Sequence, residues 1–459
     1  MTDTVTPPSS CHVVTIETPA LGDRSYLVHD GTSAAVIDPQ RDIDRVLEVS
    51  DRLGVRIVVV AETHVHNDYV TGGLALASHT GAAYVVAASE EVDFERMPAT
   101  DGDRWPVGVL GLTAVATPGH TPGHLAYVLS GADGAPRAVF TGGSMLFESV
   151  GRTDLVSEED TPDLTRAQYR SVRHLAGMLP DEVDVLPTHG FGSFCAASPT
   201  SSTSSTIGEQ RAANLALVID DEDRFVTALL DGLVDHPGYY AHMAPLNRRG
   251  PGAPDLSLPR RADAATIRAR LEAGGYVIDL RQRRAFAAGH VRGTLSFELL
   301  DPLATYLGWT IPWGAELTLV GERVEDVIEA RRHLSRIGID RLAGHAVGGP
   351  GDWTEGPLAT FPVASFADLA GVLAGGGTPV VVDVRRHDEW KAGHIPGSVN
   401  LPLGSFRTRI DELPAGHIWV HCAAGYRAAV AAGFVDRAGR DVTLIDDSWA
   451  NAVALGLAG

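Results

Sequence analysis

The chain repeats itself, and the repeat dictates how its second half can fold. "VIDLRQRRAFAAGHVRGTLSF" (277–297) matches "VVDVRRHDEWKAGHIPGSVNL" (381–401). Asp279 falls opposite Asp383, Arg281 opposite Arg385, and Gly289-His290 opposite Gly393-His394. A second pair of blocks, 316–340 and 417–441, agrees as well. Two copies about 100 residues apart are too few and too long for a solenoid, so they indicate two tandem domains. In each copy strand-like runs alternate with helical ones, the pattern of a small parallel α/β unit. The expected boundaries are 258–358 and 362–459. The Pro- and Gly-rich "NRRGPGAPDLSLPR" reads as a linker, leaving 1–250 as a front domain.

The front domain opens with "HVVTIET", "RSYLVHDG" and "AAVIDP" as strands, a helical "DIDRVLEVSDRLG", then the buried strand "VRIVVVAE". Further strands are expected at "AAYVVAA", "LTAVATPG", "LAYVLSG", "RAVFTGG" and "DVLPTHG", with the helix "TRAQYRSVRHLAGML" before the last. The Ser/Thr-rich "AASPTSSTSSTIGEQ" reads as an exposed excursion, and "GEQRAANLALVIDDEDRFVTALLDGL" as helical.

Composition excludes several functions. The formal net charge is −21 and no Lys/Arg run offsets it, so neither nucleic acid nor an anionic membrane is an expected partner. No stretch approaches the apolar length of a membrane span, and from the polar "MTDTVTPPSS" no signal peptide is expected. Three cysteines, Cys11, Cys195 and Cys422, are too few and too odd in number for a disulfide framework. A reducing, cytoplasmic setting is expected, with any special cysteine chemical in role. Cys11 and Cys195 read as structural, with Cys195 a minor candidate to face the cleft of His189. A homo-oligomer is expected.

Two segments carry chemistry. In "WVHCAAGYRAAVAAGF", Cys422 follows an apolar strand, and six residues, Cys422 to Arg427, lead into a helix. Backbone N–H groups of such a loop, at a helix N-terminus, favour a thiolate. Ala423, Ala424, Gly425 and Tyr426 would line the substrate, and Arg427 would add positive charge. At the front, "ETHVHNDYVTGG" sets His64, His66 and Asp68 at alternate positions just past a strand. His120 and His124 in "TPGHTPGH" and His189 in "PTHG" also lie in turns past strands. Histidines gathered at strand ends read as a metal site. His64, His66 and His120 would form a three-imidazole set suiting Zn, Fe or Ni about equally, with Asp68 and His189 as outer support or a weak second site.

The C-terminal motifs, "DVRRHDEWKAGHIPGSVNLPL" with the Cys422 loop, resemble the rhodanese (sulfurtransferase) family, whose loop carries a cysteine persulfide. Members that favour thiosulfate often have a basic residue after the cysteine, and here it is Ala423. In the first copy Gly321 stands opposite Cys422 and Asp326 opposite Arg427, so that copy lacks both nucleophile and anion cradle. The front motifs, with "FTGG", "GRTDL" and "PTHG", resemble the metallo-β-lactamase fold, and within it the persulfide dioxygenases. The resemblance implies an αββα sandwich followed by two rhodanese-like α/β domains. It further implies one Fe(II) held by two histidines, here His64 and His120, and by the aspartate of a "TGD" motif. Gly143 stands in place of that aspartate, and Tyr69 in place of the histidine that two-metal hydrolases of the fold use for a second ion. Glu148 and Asp154 are candidate substitutes.

The expected function is therefore a sulfur-metabolism fusion acting on a low-molecular-weight thiol persulfide or another sulfane-sulfur donor. Two alternatives stand beside it: a front domain without metal that only scaffolds the Cys422 sulfurtransferase, and a zinc thioester hydrolase.

Overall fold

A computed structural model of the chain describes residues 11–197 and 202–459. The polar start and residues 198–201 of the Ser/Thr-rich stretch lie outside the described residues. Two units divide the chain: one reaches to Pro254 and includes Ser335–Gly338, the other comprises Asp255–Leu334 and Ile339–Gly459.

In the first unit, β1 (His12–Thr18), β2 (Asp23–His29), β3 (Ser33–Ile37), β4 (Arg56–Ala61), β5 (Ala83–Ala87) and β6 (Met97–Ala99) form one sheet in that order. β7 (Arg104–Val107), β8 (Leu110–Ala116), β9 (Leu125–Ser130), β10 (Pro136–Gly142) and β11 (Asp184–Pro187) form a second, ordered β11-β10-β9-β8-β7. Successive side chains on a strand point to opposite faces, and the core sorts accordingly. Tyr26 and Val28 of β2 join Leu112, Tyr127 and Phe140 of the other sheet in a cluster between the sheets. Leu27, between them, packs outward with Val36, Val60, and Val46 and Leu76 of the helices Asp44–Leu53 and Gly73–Thr80. The helix Thr161–Met178 covers the second sheet through Val172 and Leu175 against Val115 and Val139. Helices thus flank two stacked sheets in four layers.

The helical stretch read over 208–233 is broken into Ile207–Ala213, Leu215–Val218 and Glu222–Gly232. Asn214 is the cause of the first break. Its side-chain amide donates to the Leu146 and Ser149 carbonyls at 3.0 and 2.7 Å, and its oxygen accepts from the Ala216 N–H. Buried carbonyls outside any strand need such a donor, and supplying it costs the helix its continuity. The short strands β6 and β7 and the helices Gly73–Thr80 and Tyr240–Arg248 also carry too little sequence signal to be read in advance.

The second unit holds two parallel sheets. β12 (Tyr276–Asp279), β13 (Leu295–Ser296), β14 (Leu317–Gly321) and β15 (Leu342–Val347) run in the order β13-β12-β14-β15. β16 (Val363–Ala364), β17 (Val380–Asp383), β18 (Val399–Asn400), β19 (Ile418–His421) and β20 (Val442–Ile445) run in the order β16-β20-β19-β17-β18. Apart from the edge strand β16, the two orders are the same. The matched residues also do the same work: Arg281 pairs with Asp279 at 2.6 Å and donates to the Gly289 carbonyl, and Arg385 does so with Asp383 at 2.6 Å and the Gly393 carbonyl. Among the described residues no helix is long and apolar enough to cross a membrane.

Replacing Asn214 with Ala takes the donor from the Leu146 carbonyl, whereas the Ser149 carbonyl keeps the Leu146 N–H at 3.0 Å. An unsatisfied buried group costs about 1–3 kcal/mol, so Asn214→Ala should lower the calorimetric unfolding temperature of the first unit, with the second unit's transition unmoved.

Candidate metal centre and cysteine loop

Four strand ends of the first unit meet at the site, three of them delivering histidines. His64 and His66 follow β4, His120 and His124 lie between β8 and β9, Gly143 follows β10, and His189 follows β11. All five histidines are buried, at 2% exposure or less. One ligand atom from each of His64, His66 and His189 lies within 4.8 Å of the others, and the same holds for His120, His189 and Cys195.

Hydrogen bonds set which nitrogen of each ring is free. The Thr63 hydroxyl donates to Asp38 at 2.7 Å, so its oxygen accepts from His64 Nδ1–H at 2.9 Å. That leaves the His64 Nε2 lone pair facing His189 Nε2 at 3.3 Å. His120 Nδ1–H donates to the Arg152 carbonyl at 2.6 Å, and its Nε2 has no partner. His189 Nδ1 lies 2.9 Å from Asp23 and 3.0 Å from Asp68. A carboxylate behind a ring nitrogen is the usual support of a metal-binding imidazole. His64, His120 and His189 therefore present Nε2 inward.

The other histidines are otherwise engaged. His124 accepts the Gly143 N–H on Nε2 at 3.0 Å, and its Nδ1 lies 2.8 Å from Thr117 Oγ1, so both nitrogens are used. His66 Nε2 lies 3.2 Å from Glu62, 3.3 Å from Asp38 and 3.0 Å from the Tyr69 hydroxyl, while its Nδ1 has no partner. Tyr69, in the place of a histidine, thus seals His66 against the carboxylates.

Electrostatics divides the rings differently: burial lowers His64, His120 and His124, and carboxylates raise His66 and His189. Burial, and the neighbouring His66, hold His64 well below the ordinary histidine range. Burial lowers His120 to about 3, with His189 adding to the effect. Both stay neutral, the form that binds a cation. Burial opposes charge on His66 as well, but Asp38 and Glu62 outweigh it and raise that ring to about 9. At His189, Asp68 and Asp23 likewise overcome burial and raise it.

The position of the absent aspartate is structurally occupied. A Cβ on Gly143 would lie 2.2 Å from His120 Cδ2, and one on Gly151 would lie 2.7 Å from its Nδ1. His120 fills the space into which a residue-143 side chain would point. The proposed substitutes are elsewhere: Asp154 pairs with Arg152 at 2.6 Å, and Glu148 accepts from Ser202. The donor set fits a divalent ion held by imidazoles, and does not fit the two-histidine, one-aspartate set.

Several supporting residues carried no sequence signal. Asp38, at a φ of 51°, accepts from Thr63 N–H and Oγ1–H and from the Thr188 hydroxyl. Asn247 donates to the His66 and Tyr69 carbonyls at 2.9 Å each, clamping the histidine loop. They are single polar residues whose partners lie far along the chain.

In the second unit Cys422 directly follows β19 and is 2% exposed. The Gly425 N–H donates to its Sγ at 3.1 Å. The connecting loop is shorter than expected, because the helix Tyr426–Arg437 already includes Tyr426 and Arg427. Ala423 anchors the loop through its carbonyl, which accepts from Trp449 N–H, and Ala424 is exposed. Gly425 has a φ of 89°, and a Cβ there would lie 2.1 Å from Asp446 Oδ1, so glycine is required. Asp446 is in turn held by Arg283 at 2.7 Å, from the copy without a cysteine. One expectation needs correction: the Tyr426 hydroxyl donates to the Glu298 carbonyl at 3.0 Å and does not face the sulfur. Arg427 is gripped by both oxygens of Glu389, at 2.6 and 2.8 Å, and stays charged within electrostatic reach of Cys422. In the first copy the Asp326 carboxylate accepts the Arg323 N–H at 3.0 Å. An internal carboxylate there takes the backbone donor that an anion would take.

Comparisons place these features. The Rhodanese-like domain model matches residues 366–454. The metallo-β-lactamase structure from Staphylococcus aureus subsp. aureus COL superposes with a TM-score of 0.66 at 25% identity, over 74% of this chain and 99% of that one. "Persulfide dioxygenase ETHE1, mitochondrial" of Bos taurus is 31% identical over 209 residues, 43% of this chain and 73% of that protein. "Hydroxyacylglutathione hydrolase" of Methylobacillus flagellatus is 33% identical over 168 residues, 36% of this chain and 61% of that protein. The fold and its strand-end histidines define a metallo-β-lactamase-fold protein carrying a C-terminal rhodanese domain. Within that class, the chain belongs to the persulfide dioxygenase family.

Two outcomes follow from this geometry. Gly143→Ala overpacks His120 and should cost about 1–3 kcal/mol, read as a lower unfolding temperature together with weaker metal retention. His421, buried beside Cys422, is lowered to about 4 from 6.5 by burial. Between these values the unfolded chain holds a proton that the folded chain lacks, so stability falls as pH drops from 6.5 to 4. A shift of this size corresponds to on the order of 3 kcal/mol. His421→Gln should flatten that slope in urea titrations followed by tryptophan fluorescence, since six of the seven tryptophans lie in the second unit.

Proposed function

We propose that the chain is a sulfur-handling fusion enzyme in which persulfide oxidation at the front is joined to sulfur transfer at Cys422. The transfer step rests on one observation: Cys422 Sγ accepts the Gly425 N–H at 3.1 Å where β19 enters the helix Tyr426–Arg437. A donor at a helix N-terminus stabilises negative charge on sulfur. The thiolate attacks the outer sulfur of a low-molecular-weight persulfide, the donor's S–S bond breaks, and the donor leaves as its thiolate. Cys422 then carries a persulfide to an acceptor. With Ala423 after the cysteine, thiosulfate is a poor candidate donor.

At the front, one persulfide, one dioxygen and one water would yield a thiol, sulfite and protons. His64, His120 and His189 would hold the ion. A bound Fe(II) supplies redox reactivity toward dioxygen. The chain's own residues keep the site ready: Thr63 and Arg152 hold two rings in the tautomer that presents Nε2, and Asp23 and Asp68 orient the third. The stretch 258–358 is, in this reading, a rhodanese-like copy without a nucleophile. Its role is support, through Arg283 on Asp446 beneath Gly425.

A second reading has one observation in its favour. With His120 occupying the place of a residue-143 side chain, the front domain would be a scaffold without metal and Cys422 the sole reactive centre. Iron and zinc per chain, measured in protein purified without added metal, separate the two. Near one iron per chain, with oxygen uptake on adding a persulfide that chelation abolishes, supports the fusion enzyme. Zinc with thioester turnover and no oxygen uptake supports a hydrolase instead. Cys422→Ser should reduce sulfur transfer to cyanide at least 100-fold, and undiminished transfer would overturn the assignment of Cys422.

A further inference from the structure

Gly143 removes the anionic ligand from the front site, and three neutral imidazoles leave a divalent cation without a compensating charge. Among the described residues a thiol lies in the same cluster. Cys195 is fully buried, and its Sγ lies within 4.8 Å of ring nitrogens of both His120 and His189.

The backbone of one residue, Arg152, holds Cys195 and His120 together. The Arg152 N–H donates to the Cys195 carbonyl at 2.9 Å, and the Arg152 carbonyl accepts His120 Nδ1–H at 2.6 Å. Gly151 pairs with Ala196 in a short antiparallel bridge, and its lack of a Cβ lets the His120 ring approach. The thiol and the imidazole are thus positioned by the same backbone segment. The fully buried His120 Nε2 in this cluster has no partner. Asp23 and Asp68 engage His189 at Nδ1, the nitrogen turned from His64, and Asp68 also hydrogen-bonds the Cys195 thiol, so burial and these carboxylates hold the proton on sulfur until a cation displaces it.

His189 is common to two clusters, one with His64 and His66 and one with His120 and Cys195, and one ion bound at His189 would draw on both. Bond lengths of about 2.0 Å to nitrogen and 2.3 Å to sulfur put ligand atoms of a tetrahedral site roughly 3.3–3.6 Å apart. His64 Nε2 and His189 Nε2 already stand 3.3 Å apart.

We propose that Cys195 is the anionic ligand of the front centre, completing a set with His64, His120 and His189 for a thiolate-accepting first-row divalent ion. The thiol proton is released to solvent as the sulfur binds, and the thiolate replaces the carboxylate that residue 143 does not provide. Imidazole and thiolate donors together favour such ions over magnesium or calcium. The proposal rests on the metal-site reading above and refines it.

The test uses the full chain carrying Cys11→Ser and Cys422→Ser, so that Cys195 is the remaining thiol. The metal is stripped with a chelator and one equivalent of Co(II) is added. The expected result is visible ligand-field absorption together with a near-ultraviolet thiolate-to-cobalt charge-transfer band. A further Cys195→Ser change should abolish the charge-transfer band, keep the ligand-field bands and weaken cobalt binding at least tenfold. Ligand-field bands without a charge-transfer band, or a band that survives Cys195→Ser, would overturn the role of Cys195 and leave the histidine site standing. No cobalt absorption at all would overturn the metal-site reading as well. Should Cys195→Ser fail to fold, X-ray absorption on the zinc-loaded full chain decides: a sulfur scatterer at about 2.3 Å supports the proposal, and a shell of nitrogen and oxygen alone rejects it.

Discussion

The buried Asp38 carboxylate is the interaction on which the front site depends. It sits at the end of β3, in a backbone conformation rare for a residue with a side chain, and is shut off from solvent. A buried charge survives only where hydrogen bonds and opposite charge replace water. Asp38 obtains them from Thr63 after β4, Thr188 after β11, and His66. Meeting its demand draws two loops to one point. Thr63, spent on Asp38, can only accept from His64, and that fixes which nitrogen of His64 faces the centre. The ligand geometry is thus a consequence of satisfying one carboxylate.

The second unit shows how one scaffold supports opposite electrostatics. Both sheets share an order, and both bind an Arg to an Asp at the same strand end. The loops differ in which species receives the helix N-terminal N–H groups. In one, Gly425 N–H points at the Cys422 sulfur; in the other, Arg323 N–H points at the Asp326 carboxylate. A carboxylate supplied by the chain itself leaves no room for an external anion, so loss of the nucleophile and loss of the anion cradle go together. Arg427 is paired with Glu389, and the hydrogen bond to the Cys422 sulfur comes from backbone, the Gly425 N–H.

Periodicity made the large elements legible, since strands such as β2 and β4 and helices such as Asp44–Leu53 bury one face and expose another or are apolar throughout. The repeat made the equivalence of Gly321 and Cys422 legible, and the strand register agrees: Val320 pairs with Asp279 as His421 pairs with Asp383. The break at Asn214 was not legible, because its cause lies in the carbonyls of residues 146 and 149, remote in sequence. Nor was the grip of Glu389 on Arg427, two charged residues 38 positions apart with no pattern between them.

By itself, the sequence determined the types of fold, the strand ends at which histidines and Cys422 appear, and the two departures at Gly143 and Tyr69. Those are local matters, set by residue type and spacing. Tertiary structure decided which histidines face one another, which nitrogen each presents, that His120 takes the space beside Gly143, and that Cys195 joins the same cluster. Those depend on long-range hydrogen bonds and on close packing, through which a residue's role is set by neighbours that chain spacing does not specify.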